Sequence, residues 1–123
     1  MERVFFLLGA LSSCLGVAAG AFGAHALKTR LSADMLATFE VGVRYQMYHA
    51  FGLIAVAWVL TKWPSSLATL SGWCFLIGTV LFSGSLYLLT LSGVRWLGAI
   101  TPLGGVAFLV GWLCLGIGVW KAN

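Results

Sequence analysis

GVAAGAFGAHALKTR, residues 16–30, ends a long apolar run on a histidine placed just before the first cluster of positive charge. From Val4 to Leu27 the chain has no Lys, Arg, Asp or Glu. A helix needs about 20 apolar residues to cross a hydrocarbon layer, and this run supplies them. A secretory signal is the competing reading, because Arg3 precedes the run and Ala24-His25-Ala26 imitates a small-x-small cleavage site. The run is longer than the ~7–15 residues of a signal core, so it is expected to be a retained membrane span.

Composition supports that reading. Of 123 residues, 61% are hydrophobic and 8% charged, far more apolar than a soluble domain of this size can hide. Lipid is therefore the expected cover for many of the Leu, Phe and Trp side chains. The net charge of +4 comes from seven scattered Lys and Arg, which points to membrane topology and excludes a basic nucleic-acid-binding arm. Cys14, Cys74 and Cys114 lie far apart inside apolar runs with no CxxC pair, so they read as small packing residues.

Four segments have spanning length, near 4–27, 45–62, 67–91 and 97–120. The expected fold is an all-α membrane protein, a single domain over residues 1–123 with four transmembrane helices. A short amphipathic interfacial helix is expected between spans one and two, where Leu31, Met35, Leu36, Phe39 and Val43 recur at helical spacing. Ser32 is placed to cap it, and Glu40 and Arg44 are spaced as an i,i+4 pair. A straight helix over 33–61 would measure roughly 43 Å, so a bend or emergence is expected, most cheaply at Gly42. Pro64 with Ser65 or Ser66 separates spans two and three. Thr101 is expected to cap a final helix with Pro102 in its first turn.

Both termini then share one side with Arg3, Lys62 and Lys121, against Lys28, Arg30, Arg44 and Arg95 on the loop side. The positive-inside count puts the loops in the cytoplasm and the termini outside. Ser12, Gly16, Gly20 and Ala24 form a small-residue ladder, as do Gly104, Gly111 and Gly118. Such faces let helices approach closely. Four helices are not expected to use all of them internally, so a homo-oligomer or a larger membrane complex is expected around the lipid-embedded chain.

Polar groups gather on the loop side: His25, Glu40, Arg44, Gln46, His49, Tyr87, Arg95 and Thr101. Gly42, Tyr45, Gln46, His49 and Gly52 fall on one helical face. Polar groups in a span are costly unless they meet one another or water, so this cluster is the candidate site for a small solute, ion or proton. Interhelical bonding or interfacial anchoring explains the two histidines equally simply. Two histidines without an HxxxH, HxH or Cys partner do not make a metal site, and haem ligation between them would need a larger apolar cage. Ser83 and Ser85 lack a base in sequence, so no catalytic residue and no cofactor is expected. The helix start at 101–105, beside Arg95, suits either an anion or ordinary close packing. The other function class is a non-catalytic accessory or scaffold subunit.

The segments GAFGAHALK, YQMYHA, FSGSLYLLTLSG and LGAITPLGG resemble the signatures of a family of small bacterial inner-membrane proteins of unknown function. That family includes YgdD and YwdK and has an animal transmembrane relative. The resemblance runs through the whole chain in order. It implies four spans and a cytoplasmic-membrane location, with His25, Gln46, His49, Ser83, Gly84, Tyr87, Thr101 and Pro102 at characteristic positions. It implies no activity, substrate or cofactor.

Overall fold

The computed structural model describes residues 1–122. Four long helices carry the chain: α1 (Glu2–Phe22), α2 (Ala33–Lys62), α3 (Ser66–Ser92) and α4 (Thr101–Lys121). A wide π turn, Gly23–Leu27, continues α1, and a 3-10 turn, Arg95–Ala99, leads into α4. The ends follow local chemistry. Ser32 Oγ accepts the Met35 N–H at 3.2 Å and Ser65 Oγ accepts the Ala68 N–H at 3.1 Å, each satisfying a backbone donor that the first helical turn leaves free. Gly93 closes α3 at φ 75° with its N–H on the Leu89 carbonyl, a left-handed position that glycine adopts without steric penalty.

Successive helices run antiparallel. α2 packs between α1 and α3, and α3 between α2 and α4. Gly9 of α1 lies against Ala50 and Ile54 of α2, and Gly23 against Phe39, so α2 accompanies α1 for most of its length. What sets the spacing is aromatic rings seated on glycines. Phe5 occupies the space a Cβ on Gly72 would need, at 2.5 Å. Phe75 does the same at Gly111 and Gly52, Phe108 at Gly78, and Tyr87 at Gly42. Phe5 and Phe75 are fully buried as a result. Rings seated this way gain dense van der Waals contact, the main attraction between helices where the surroundings are themselves apolar.

The structure revises several sequence expectations. α2 is one uninterrupted helix from Ala33 to Lys62, so the separate amphipathic helix does not exist as its own element. Gly42 is not its break but the seat of the Tyr87 ring. Glu40 and Arg44 are both exposed, and no ion pair joins them among the described residues. Thr101 is the first residue of α4 and Ile100 its N-cap; the Thr101 hydroxyl goes to α3 instead.

The small-residue ladder on α1 also shifts. Gly16 is buried against Met47 and Gly20 touches Val43, but Ala24 is exposed and Gly23 takes its place. Steps of four residues overshoot a 3.6-residue turn by about 40° each, so three steps from Ser12 carry Ala24 off the contact face. Gly104, Gly111 and Gly118 are all buried on α3 of the same chain. That face is therefore not left over for an oligomer.

Candidate functional site

The polar residues nominated from sequence separate into three bonded groups and a set of exposed charges. The first group ties α1, α2 and α3 together. Gln46 Nε2 donates to the Ser12 carbonyl at 3.0 Å, while Gln46 Oε1 accepts the Tyr87 hydroxyl at 2.6 Å. Beside it, Ser83 Oγ donates to the Gly42 carbonyl at 2.6 Å. Gln46 suits this position because one amide offers donors to one helix and an acceptor to another.

The second group centres on His49, which is buried. Trp112 Nε1 of α4 donates to His49 Nε2 at 3.1 Å, and His49 Nδ1 lies 2.7 Å from the Tyr45 carbonyl. An indole N–H can only donate, so Nε2 is the acceptor and Nδ1 carries the proton toward Tyr45. The Phe108 ring stacks on the imidazole at 3.4 Å between centroids. Both ring nitrogens are therefore occupied, and a second proton on Nε2 would face the Trp112 N–H. In the third group, Ser85 Oγ and Thr101 Oγ1 lie 2.6 Å apart and join α3 to α4.

Gln46 and His49 share the buried side of α2 yet diverge, one toward α1 and α3, the other toward α4. His25 is exposed in the π turn, and Glu40, Arg44 and Arg95 are exposed as well. No hydrogen bond links His25 to His49 among the described residues. Sequence reasoning missed Trp112, Phe108 and the backbone acceptors of Ser12 and Gly42. Trp112 did leave a signal: it lies midway along the last helix, away from the interfaces where Trp usually sits, and an indole N–H at that depth needs a partner within the protein.

Three clefts lie beside these residues, one of about 260 Å³ lined by Ser12, Gln46, Ser83 and Tyr87 of the first group. A groove of about 830 Å³ runs between α2 and α4 over Phe108 and Trp112. A smaller pocket of about 420 Å³ at the loop end is lined by Ser32, Asp34, Thr38 and Arg95.

The fold and surface define a class. Three helical segments, Glu2–Leu27, Ser66–Ser92 and Arg95–Lys121, are long and apolar enough to cross a membrane, and they present large exposed apolar side chains such as Leu7, Val80 and Leu109. This is an all-helical membrane protein. It belongs to the family described as protein of unknown function (DUF423), whose model matches residues 19–105. It is 49% identical over 119 residues to the UPF0382 membrane protein SSP2132 of Staphylococcus saprophyticus, covering 97% of this chain and 98% of that one. Over 119 residues it is 46% identical to the UPF0382 membrane protein SH2409 of Staphylococcus haemolyticus, covering 97% of each. With the UPF0382 membrane protein YwdK of Bacillus subtilis it shares 45% identity over 120 residues, 97% of this chain and 98% of that one. The family resemblance read from the sequence motifs is thus correct. No solved structure matches.

Proposed function

We propose that the chain is a single four-span domain of the cytoplasmic membrane, acting as a non-catalytic accessory protein that holds a lipid or protein partner rather than conducting solute. One observation carries this reading. The hydrogen-bonding side chains nominated inside the spans are each engaged by a side chain of another helix: Gln46 by Tyr87, His49 by Trp112, Thr101 by Ser85. A transport path needs groups that can exchange partners with water or cargo, whereas these act as interhelical bonds. Proteoliposomes holding a pH-sensitive dye should then show no proton flux above empty vesicles. Flux abolished by His49→Ala in a folded protein would reverse the reading.

Packing supports four spans rather than three. α2 is less apolar than its neighbours, yet it lies along α1 and α3 and buries Gln46 and His49 against them and α4. A helix shielded by protein tolerates polar groups that a lipid-exposed one does not. With the native cysteines replaced, Thr29→Cys and Trp63→Cys should label from opposite sides of the membrane; labelling from the same side would remove α2 as a span. The four-to-three excess of cations at the loop end supports cytoplasmic loops and external termini.

Solute binding keeps one specific support in the loop-end pocket. Asp34 and Arg95 line it without pairing to each other, offering opposite charges to a small zwitterion. Loss of solute uptake in both Asp34→Asn and Arg95→Gln, with His49→Ala unaffected, would favour this second reading.

A further inference from the structure

The groove between α2 and α4 has the proportions of one membrane leaflet. It runs along α4 from Pro102 to Trp112, ten residues or about 15 Å at 1.5 Å per residue, half of a ~30 Å hydrocarbon layer. Its volume of about 830 Å³ falls in the ~300–1,000 Å³ range of sites that hold small molecules. The floor is apolar, built from Phe82, Phe108 and Trp112, and the rim residues Phe51, Val106 and Leu109 are exposed, so the slot opens sideways toward lipid.

Its loop end is different in kind. Tyr45 and Tyr48 line the groove there, and neither hydroxyl has a hydrogen-bond partner among the described residues. Arg44, four residues before Tyr48, shares its helical face one turn nearer the loop end. Arg44 is exposed and has no ion pair among the described residues. A leaflet-deep apolar slot thus ends at two tyrosines, with the exposed Arg44 guanidinium about one turn beyond its lining. A flat carbonyl-bearing ligand such as a quinone fits less well, because both His49 nitrogens are already engaged.

We propose that the α2–α4 groove binds an anionic phospholipid, with one acyl chain lying over Phe108 and the phosphate-bearing headgroup held by Arg44 and the Tyr48 hydroxyl. Guanidinium and phosphate match in geometry as well as charge. The proposal rests on α2 crossing beside α4, which the cysteine-labelling experiment decides separately.

The full chain in nanodiscs of equal phosphatidylglycerol and phosphatidylcholine, released and weighed by native mass spectrometry, tests it. Wild type should retain one phosphatidylglycerol, preferred about tenfold, as expected for a charge-assisted contact. Arg44→Gln should erase that preference. Gly105→Leu should block chain binding without disturbing the helices, because a Cβ there comes no closer than 3.9 Å to Phe82. Equal retention of both lipids by wild type would overturn the proposal, as would undiminished retention by Gly105→Leu with an unchanged circular dichroism spectrum. A dimer that Gly105→Leu dissociates would also overturn it, placing a second copy in the groove.

Discussion

The two ends of the molecule are held by different physics. Toward the termini, helices meet through shape: Phe5 sits on Gly72, Gly9 against the Ala50 carbonyl, and Gly118 against Ser65 and Ala68. Toward the loops they meet through hydrogen bonds as well, Gln46 to Ser12 and Tyr87, Ser83 to Gly42, Ser85 to Thr101 and, nearer the middle, Trp112 to His49. No interhelical side-chain hydrogen bond is found in the terminal part among the described residues. Added volume should hurt at both ends, since Gly104 abuts the Phe82 backbone and Gly42 the Tyr87 ring near the loops, but only the bonded end should also be sensitive to a lost partner.

The largest effect is expected where volume meets backbone. A Cβ on Gly9 would lie 2.7 Å from the Ala50 carbonyl oxygen and 3.2 Å from Leu53 Cβ, neither of which can swing away. Gly9→Ala should therefore separate α1 from α2 and cost about 3 kcal/mol, the upper part of the overpacking range, read as a lowered thermal midpoint in detergent. Gly116→Ala, where nothing lies within 4 Å of the new carbon, should cost nothing measurable. Equal losses would mean that glycine matters here for something other than space.

Next come the bonds. Gln46→Leu should cost about 2 kcal/mol, because it removes two interhelical bonds at once, to the Ser12 carbonyl and from the Tyr87 hydroxyl. Adding Tyr87→Phe should return part of that loss. A double-mutant cycle showing strict additivity would mean the two side chains do not interact. Trp112→Phe should cost less, about 1 kcal/mol, since bonds of this kind in membrane proteins average ~0.6 and rarely exceed ~1.7 kcal/mol.

Most of the helical layout was legible because it follows from local rules. Hydropathy marked the apolar helices, Ser32 announced its cap, and Pro64 with Ser65 or Ser66 the tight connection, where Ser65 proves to be the cap. What escaped depends on neighbours. Gly42 looks like a weak point in a helix, and only the Tyr87 ring on it explains why a glycine is there. Thr101 reads as a cap because its sequence context suits one, yet Ser85 across the interface takes its hydroxyl. Among the candidate residues, same-face spacing put Gln46 and His49 on one side of α2 pointing the same way; both are buried, but their side chains diverge. Spacing could not say that α1 and α3 claim one and α4 the other, because direction within a broad face is set by partners that sequence spacing leaves out.

The finest test uses two serines on one helix. Ser71 and Ser83 of α3 are both essentially fully buried, at 0% and 1% exposure. Ser83 donates to the Gly42 carbonyl, whereas the Ser71 hydroxyl has no partner among the described residues. Ser83→Ala should cost about 1 kcal/mol by leaving that carbonyl one bond short. Ser71→Ala removes a hydroxyl that burial only penalises, so stability should stay within about 0.5 kcal/mol of wild type or rise slightly. Parallel thermal unfolding of the two variants decides it. If Ser71→Ala lost as much as Ser83→Ala, the terminal end would contain a polar contact of its own, and the division between an end held by shape and an end held by hydrogen bonds would fail at its most direct point.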